Sequence, residues 1–175
     1  FLSFLLCMTP AQYIPVRVRR GMATGAKWTF LPFSTLWLHG GEMDIAAAVD
    51  MFGDIKGANC WDLGAHFGIH TVGLALQVGP MGRVAAFEPN PVSFRRLARH
   101  VRMNRLQNVH LFNAAISDQS SHAEFIVSNG RGSMTSHLSS DDESVGVDTP
   151  RIEVETVCAD SLVEQGRLFK PDFIK

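Results

Sequence analysis

The stretch Cys60-Trp61-Asp62-Leu63-Gly64-Ala65-His66-Phe67-Gly68 constrains this chain more than any other. An apolar run enters it from Ala58, two glycines bracket a short loop, and an apolar periodicity leaves it through Ile69, Val72 and Leu76. The pattern predicts a strand, a tight turn and the N-terminus of an amphipathic helix running from about Phe67 to Val78, where Gly79-Pro80 stops it. In a parallel sheet such a unit aims backbone N–H groups and the positive end of the helix dipole at a ligand beyond the carboxyl end of the strand.

The residues of the turn discriminate between ligands. The dinucleotide pattern G-x-G-x-x-G, begun at Gly64, requires glycine where this chain has His66 and Ile69. Asp62, at the strand's end, also opposes a pyrophosphate. At ~4 Å and an effective dielectric of ~20, one unit-charge contact is worth roughly 4 kcal/mol. That energy repels a phosphate and attracts a sulfonium or an ammonium. S-adenosylmethionine carries both cations, and its carboxylate suits the helix N-terminus. The next strand, Arg83-Val84-Ala85-Ala86-Phe87, ends on Glu88, followed by Pro89-Asn90-Pro91. An acidic residue at the tip of a second strand accepts ribose hydroxyls. Nicotinamide and S-adenosylmethionine sites share that feature, but with Asp62 and without the dinucleotide glycines the pair favours the sulfonium cofactor.

The remaining elements follow from period and punctuation. Glu42 to Phe52 is predicted helical, with Ile45, Ala48, Val49 and Phe52 on one face. Asn90 is a suitable N-cap and Pro91 a suitable first residue for a second helix, with Phe94, Leu97, Ala98 and Val101 as its buried stripe. Its other face carries Arg95, Arg96, Arg99, Arg102 and Arg105. Without aromatic interleaving or a nucleic-acid motif this reads as a solvated face, so no nucleic-acid partner is expected. Val109 to Ile116 is predicted as the third strand. Ala123 to Val127 and Ile152 to Cys158 read as strands joined by a long polar excursion with the acidic run Asp141-Asp142-Glu143. A short helix starts at Asp160-Ser161, and Asp172-Phe173-Ile174-Lys175 opens a fourth parallel strand. Strands alternating with helices predict an α/β fold with a parallel sheet.

With 175 residues, 46% of them hydrophobic, the chain can bury one real core. The expected organisation is an N-terminal extension, residues 1–41, packed on a cofactor-binding domain, residues 42–175. Residues 10–40, rich in Pro, Gly and aromatics, read as extended segments and turns. A formal charge of -1 gives no steering toward nucleic acid or anionic lipid. Cys7, Cys60 and Cys158 fit neither a disulfide framework nor metal spacing, so a reducing, cytoplasmic setting is expected and no metal. Phe1 to Leu6 is apolar but too short to span a bilayer, and is read as covering the core, with the remnant of a signal or anchor as the alternative.

Four segments together resemble the FkbM family of S-adenosylmethionine-dependent methyltransferases. They are Asp62-Leu63-Gly64-Ala65-His66-Phe67-Gly68, Gly82 to Pro91, Asn113-Ala114-Ala115-Ile116-Ser117-Asp118, and Lys170-Pro171-Asp172-Phe173-Ile174-Lys175. His66 departs from the family's usual asparagine. The resemblance implies a Rossmann-like class I methyltransferase fold with a doubly wound, mostly parallel sheet. It also implies S-adenosylmethionine as cofactor and an acceptor hydroxyl on a small molecule or glycan. The expected cofactor contacts are Asp62, Gly64, Ala65, His66, Phe67 and Gly68 in the turn, Glu88, Pro89 and Asn90 after the second strand, and Asn113 and Ala114 near the end of the third. Asn113 reads equally well as a turn residue at a strand terminus.

Methyl transfer to a hydroxyl is helped by a general base. His66, His70 and His137 are candidates, each with a structural alternative as a loop, helix-face or solvated residue, and no catalytic residue is assigned. The family's pattern continues past the lysine into an Asp-Val-Glu-Gly segment that this chain lacks, so the sheet is expected to be incomplete at the C-terminus and these residues by themselves inactive. A nicotinamide-dependent oxidoreductase and a non-catalytic nucleotide-binding module are the alternative functions.

Overall fold

The computed structural model describes residues 15–29, 53–127, 137–138 and 150–175. The helix expected over Glu42 to Phe52, the boundary between residues 41 and 42, and most of the polar excursion lie outside them.

A four-stranded, wholly parallel sheet forms the centre. Its strands are β3 (Asn59–Leu63), β4 (Arg83–Phe87), β5 (Val109–Phe112) and β10 (Phe173–Ile174), in the order β10-β3-β4-β5. Helix α1 (Ile69–Val78) connects β3 to β4, and α2 (Pro91–Met103) connects β4 to β5. Side chains of alternate strand residues face opposite sides. Cys60 and Val84 pack with Leu74, Ala75 and Val78 of α1, and Ala86 packs with Leu97 and Val101 of α2. Trp61, Ala85 and Phe87 face the other way, against Leu162 of the short helix α3 (Ala159–Glu164) and Leu168. Helices on both faces make the sheet doubly wound.

Helix α1 starts at Ile69, two residues later than the pattern suggested. Gly68 adopts φ 87°, a left-handed conformation that cannot continue a helix. Leu76, expected on the buried stripe, is 43% exposed, whereas Val72 is fully buried. The reason is a second layer. Strands β1 (Pro15–Arg17) and β2 (Lys27–Thr29) form an antiparallel hairpin whose Val18, Ala23, Ala26 and Trp28 cluster with Val72. Sheet and hairpin thus bury two sides of α1. Gly73 permits this approach, since a Cβ there would lie 2.7 Å from the Cβ of Met22.

Helix α2 begins as expected: the Asn90 side chain accepts from the N–H groups of Val92 and Ser93, with Pro91 at the first helical position. The third strand does not run through to Ile116. It ends at Phe112, and β6 (Ala115–Ser117) belongs to a second sheet. Phe112 O accepts from Glu88 N, after which the Asn113 side chain turns back to bond the carbonyls of Glu88 and Pro89. The second sheet has the order β6-β9-β7-β8, with β7 (Ser121–Ile126), β8 (His137–Leu138) and β9 (Arg151–Cys158). β7 pairs antiparallel with β9, and β6 parallel with it. The two strands read on either side of the polar excursion are therefore partners in a sheet of their own.

Candidate active site

The carboxyl ends of β3 and β4 carry two buried carboxylates bracketing one turn. Ala65 N donates to Phe87 O (2.9 Å) and Gly68 N to Ala65 O (2.8 Å), tying the turn to the adjacent strand. Gly64, His66 and Gly68 all have positive φ, at 68°, 52° and 87°. His66 adopts this conformation despite its Cβ, with its N–H held by Glu88 Oε2 at 2.6 Å. A Cβ at Gly68 would collide with Leu97 of α2, so glycine there serves both the backbone and the packing of α2.

Asp62 is fully buried. Its Oδ2 accepts from the Thr71 hydroxyl of α1 at 2.5 Å. Its Oδ1 stands 2.9 Å from Lys175 Nζ as an ion pair, outside hydrogen-bond alignment, and accepts no hydrogen bond among the described residues. Glu88, 5% exposed, accepts from His66 N and, at 2.8 Å, from Asn90 N. Burial raises its carboxyl above the usual carboxylate value and the charge of Asp62 adds to the rise; the two amide hydrogen bonds and Lys175 oppose it.

The His66 ring stacks on Phe67, and the Arg96 guanidinium lies 4.7 Å from the centre of the Phe67 ring. Burial lowers the His66 pKa to about 4, with Arg96 and Lys175 adding to the shift. A base that weak takes up little of a proton at neutral pH. His70 is buried on α1, and the His137 side chain lies outside the described residues. Below the turn, Phe67 O accepts from His100 Nδ1 (2.7 Å), while His100 Nε2 accepts from Thr29 N (3.3 Å) and its hydroxyl (2.7 Å). This pattern requires the neutral ring, consistent with a pKa that burial lowers to about 4.

The expected site residues therefore converge, in different ways. Glu88 is hydrogen-bonded to the turn through His66 N, while Asp62, at the start of the turn, accepts from Thr71 of α1 and pairs with Lys175. Pro89 is buried, Asn90 is committed to capping α2, and the Asn113 amide group holds the loop after β4. Ala114 lies in the core beside Phe87 and Leu162. Thr71 and His100 lie in no sequence motif, Arg96 belongs to the face read as solvated, and Lys175 enters only through the Lys170 to Lys175 segment; the structure brings Arg96 and Lys175 to the turn. The register of the strand beside β3, Phe173 with Cys60 and Ile174 with Trp61, brings Lys175 level with Asp62.

Two observations fit S-adenosylmethionine to this chain. Among the described residues the buried Asp62 Oδ1 lacks a hydrogen bond, which suits a cationic donor, and a Cβ at Gly64 would meet nothing within 4 Å, so the turn is open there. Among the described residues no group of three or more His, Cys, Asp or Glu side chains could hold a metal ion, and no helix is long and apolar enough to cross a membrane.

The doubly wound parallel sheet, in the order β10-β3-β4-β5, is Rossmann-like. The chain belongs to the methyltransferase FkbM domain family, whose model matches residues 62–175. No curated protein matches the sequence. Among solved structures, a protein-L-isoaspartate O-methyltransferase is similar over 41% of this chain and 22% of its own, at 21% identity and TM-score 0.39. A SAM-dependent methyltransferase from Aquifex aeolicus matches over 49% of this chain and 48% of its own, at 22% identity and TM-score 0.39. Aeropyrum pernix fibrillarin, solved with S-adenosyl-L-methionine bound, matches over 35% and 26%, at 27% identity and TM-score 0.32. The chain thus spans less than half the length of these three solved proteins.

Proposed function

We propose that this chain holds S-adenosylmethionine across the ends of β3 and β4 and serves O-methylation of a hydroxyl on a small molecule or glycan. The observation that carries the cofactor reading is the pair of buried carboxylates, Asp62 and Glu88, on either side of the left-handed turn. Asp62 would take the cationic amino-acid end. Glu88 would take the ribose hydroxyls: each of its oxygens already accepts one amide and keeps acceptor capacity for another donor. The open backbone at Gly64 would let the ligand approach, and the loop held by Asn113 would border the adenine.

S-adenosylmethionine supplies an electrophilic methyl group on a sulfonium. The protein's share is positioning and shielding, since an in-line displacement gains most from holding the acceptor oxygen against the methyl. The turn is suited to that work because both flanking strands and α2 fix it. No nucleic-acid or membrane partner is proposed.

Calorimetric titration with S-adenosylhomocysteine and NAD side by side tests the cofactor. Binding of the first alone is expected, and binding of NAD alone overturns the reading in favour of an oxidoreductase. Labelled S-adenosylmethionine with a panel of hydroxylated acceptors tests the reaction. Label transferred only to nitrogen or carbon acceptors would overturn the hydroxyl assignment, and cofactor binding without any transfer would favour a non-catalytic binding module.

A further inference from the structure

Lys175 enters the site from the strand beside β3. Its backbone is fixed there, with its N–H donating to Trp61 O (2.9 Å) and its carbonyl accepting from Leu63 N (3.0 Å). Its side chain reaches across the strand end and puts Nζ among three oxygens: Asp62 Oδ1 at 2.9 Å, Leu63 O at 3.3 Å and Gly64 O at 3.3 Å. An acidic oxygen and two carbonyls, with no competing donor among them, form a seat for an ammonium group. The ion pair inside it is incomplete, because Oδ1 is wholly buried yet accepts no hydrogen bond from the lysine. A buried carboxylate needs a cation, and this one has a charge partner without an aligned donor.

We propose that Lys175 is a resident cation, occupying in the free protein the seat that the cofactor's α-ammonium takes, so that binding requires the lysine to give up Asp62. The inference rests on the cofactor reading above and adds a cost specific to ligands that carry the amino group. The lysine keeps Asp62 compensated while the site is empty and weakens every cation that must replace it. An adenosyl ligand without the amino acid leaves Lys175 where it is.

The test titrates S-adenosylhomocysteine and 5′-methylthioadenosine, which lacks the amino acid, into the wild-type protein, Lys175→Gln and Lys175→Arg. Glutamine keeps a donor for the carbonyls of Leu63 and Gly64 and removes the charge. Lys175→Gln should bind S-adenosylhomocysteine about 10-fold tighter or more, with 5′-methylthioadenosine unchanged within about twofold. Lys175→Arg, which keeps a cation, should preserve the wild-type ratio of the two affinities. Equal shifts for both ligands, an unchanged ratio, or weaker S-adenosylhomocysteine binding in Lys175→Gln would overturn the inference while leaving the cofactor reading intact. If neither ligand binds the wild-type protein, the cofactor reading falls and this inference falls with it.

Discussion

Glu88 does two jobs with one carboxylate: it holds the left-handed His66 through its N–H, and it is the acceptor proposed for the ribose. A charge-assisted hydrogen bond contributes roughly 1.5–3 kcal/mol, so Glu88→Ala should weaken S-adenosylhomocysteine binding ~10-fold or more. Calorimetry checks this, and an unchanged affinity removes Glu88 from the site. His100 is tied to the same turn from below and yields a pH prediction. Its pKa falls from an ordinary 6.5 to about 4 in the folded protein. Between those values the unfolded chain takes up a proton that the folded ring refuses. Stability should therefore decrease as pH falls from about 6.5 to about 4, with His100 contributing on the order of 3 kcal/mol of the loss. Denaturant titrations at neutral pH and near pH 4.5 measure it, and His100→Gln should flatten the slope.

The hairpin of β1 and β2 bears on the site although it contributes no proposed cofactor contact. Trp28 stacks on His100 at 3.6 Å, and the Asn104 side chain pairs with Lys27 as a strand would, accepting from its N–H (2.6 Å) and donating to its carbonyl (2.8 Å). A net hydrogen bond is worth about 1 kcal/mol, so Asn104→Ala should loosen the hairpin by ~2 kcal/mol. Faster proteolytic cleavage within residues 15–29 is the expected readout. The arginines expected on one face of α2 divide: Arg96 lies over Phe67 at the turn, Arg95 and Arg102 are exposed on the helix, and Arg105 is exposed beyond its end. The exposed set is expected to be a solvated face. Gel-shift binding at physiological salt that disappears when Arg95, Arg99 and Arg102 are changed to Ala would overturn that expectation.

Across the whole molecule, the proposed contacts gather at the ends of adjacent strands of one sheet, so ligand binding should stabilise the unit they share. At ~100 times its Kd a ligand adds about 2.7 kcal/mol, which for a chain of this size raises Tm by roughly 5–10 °C. S-adenosylhomocysteine should produce that shift and NAD none. The sequence by itself determined the strand–turn–helix unit at Asp62, the acidic end of β4, the cap at Asn90 and the family, because local backbone demands and short-range periodicity are written in neighbouring residues. It was less informative wherever a distant segment decided the outcome. Leu76 faces outward because the hairpin and the sheet occupy two sides of α1, and the strand after Val109 breaks because Asn113 finds carbonyls on the preceding loop. Asp62 meets Lys175 because parallel pairing brings together strand ends far apart in the chain. Only the tertiary structure decides such contacts, since long-range pairing and layer packing depend on which surfaces meet, and no local pattern encodes that.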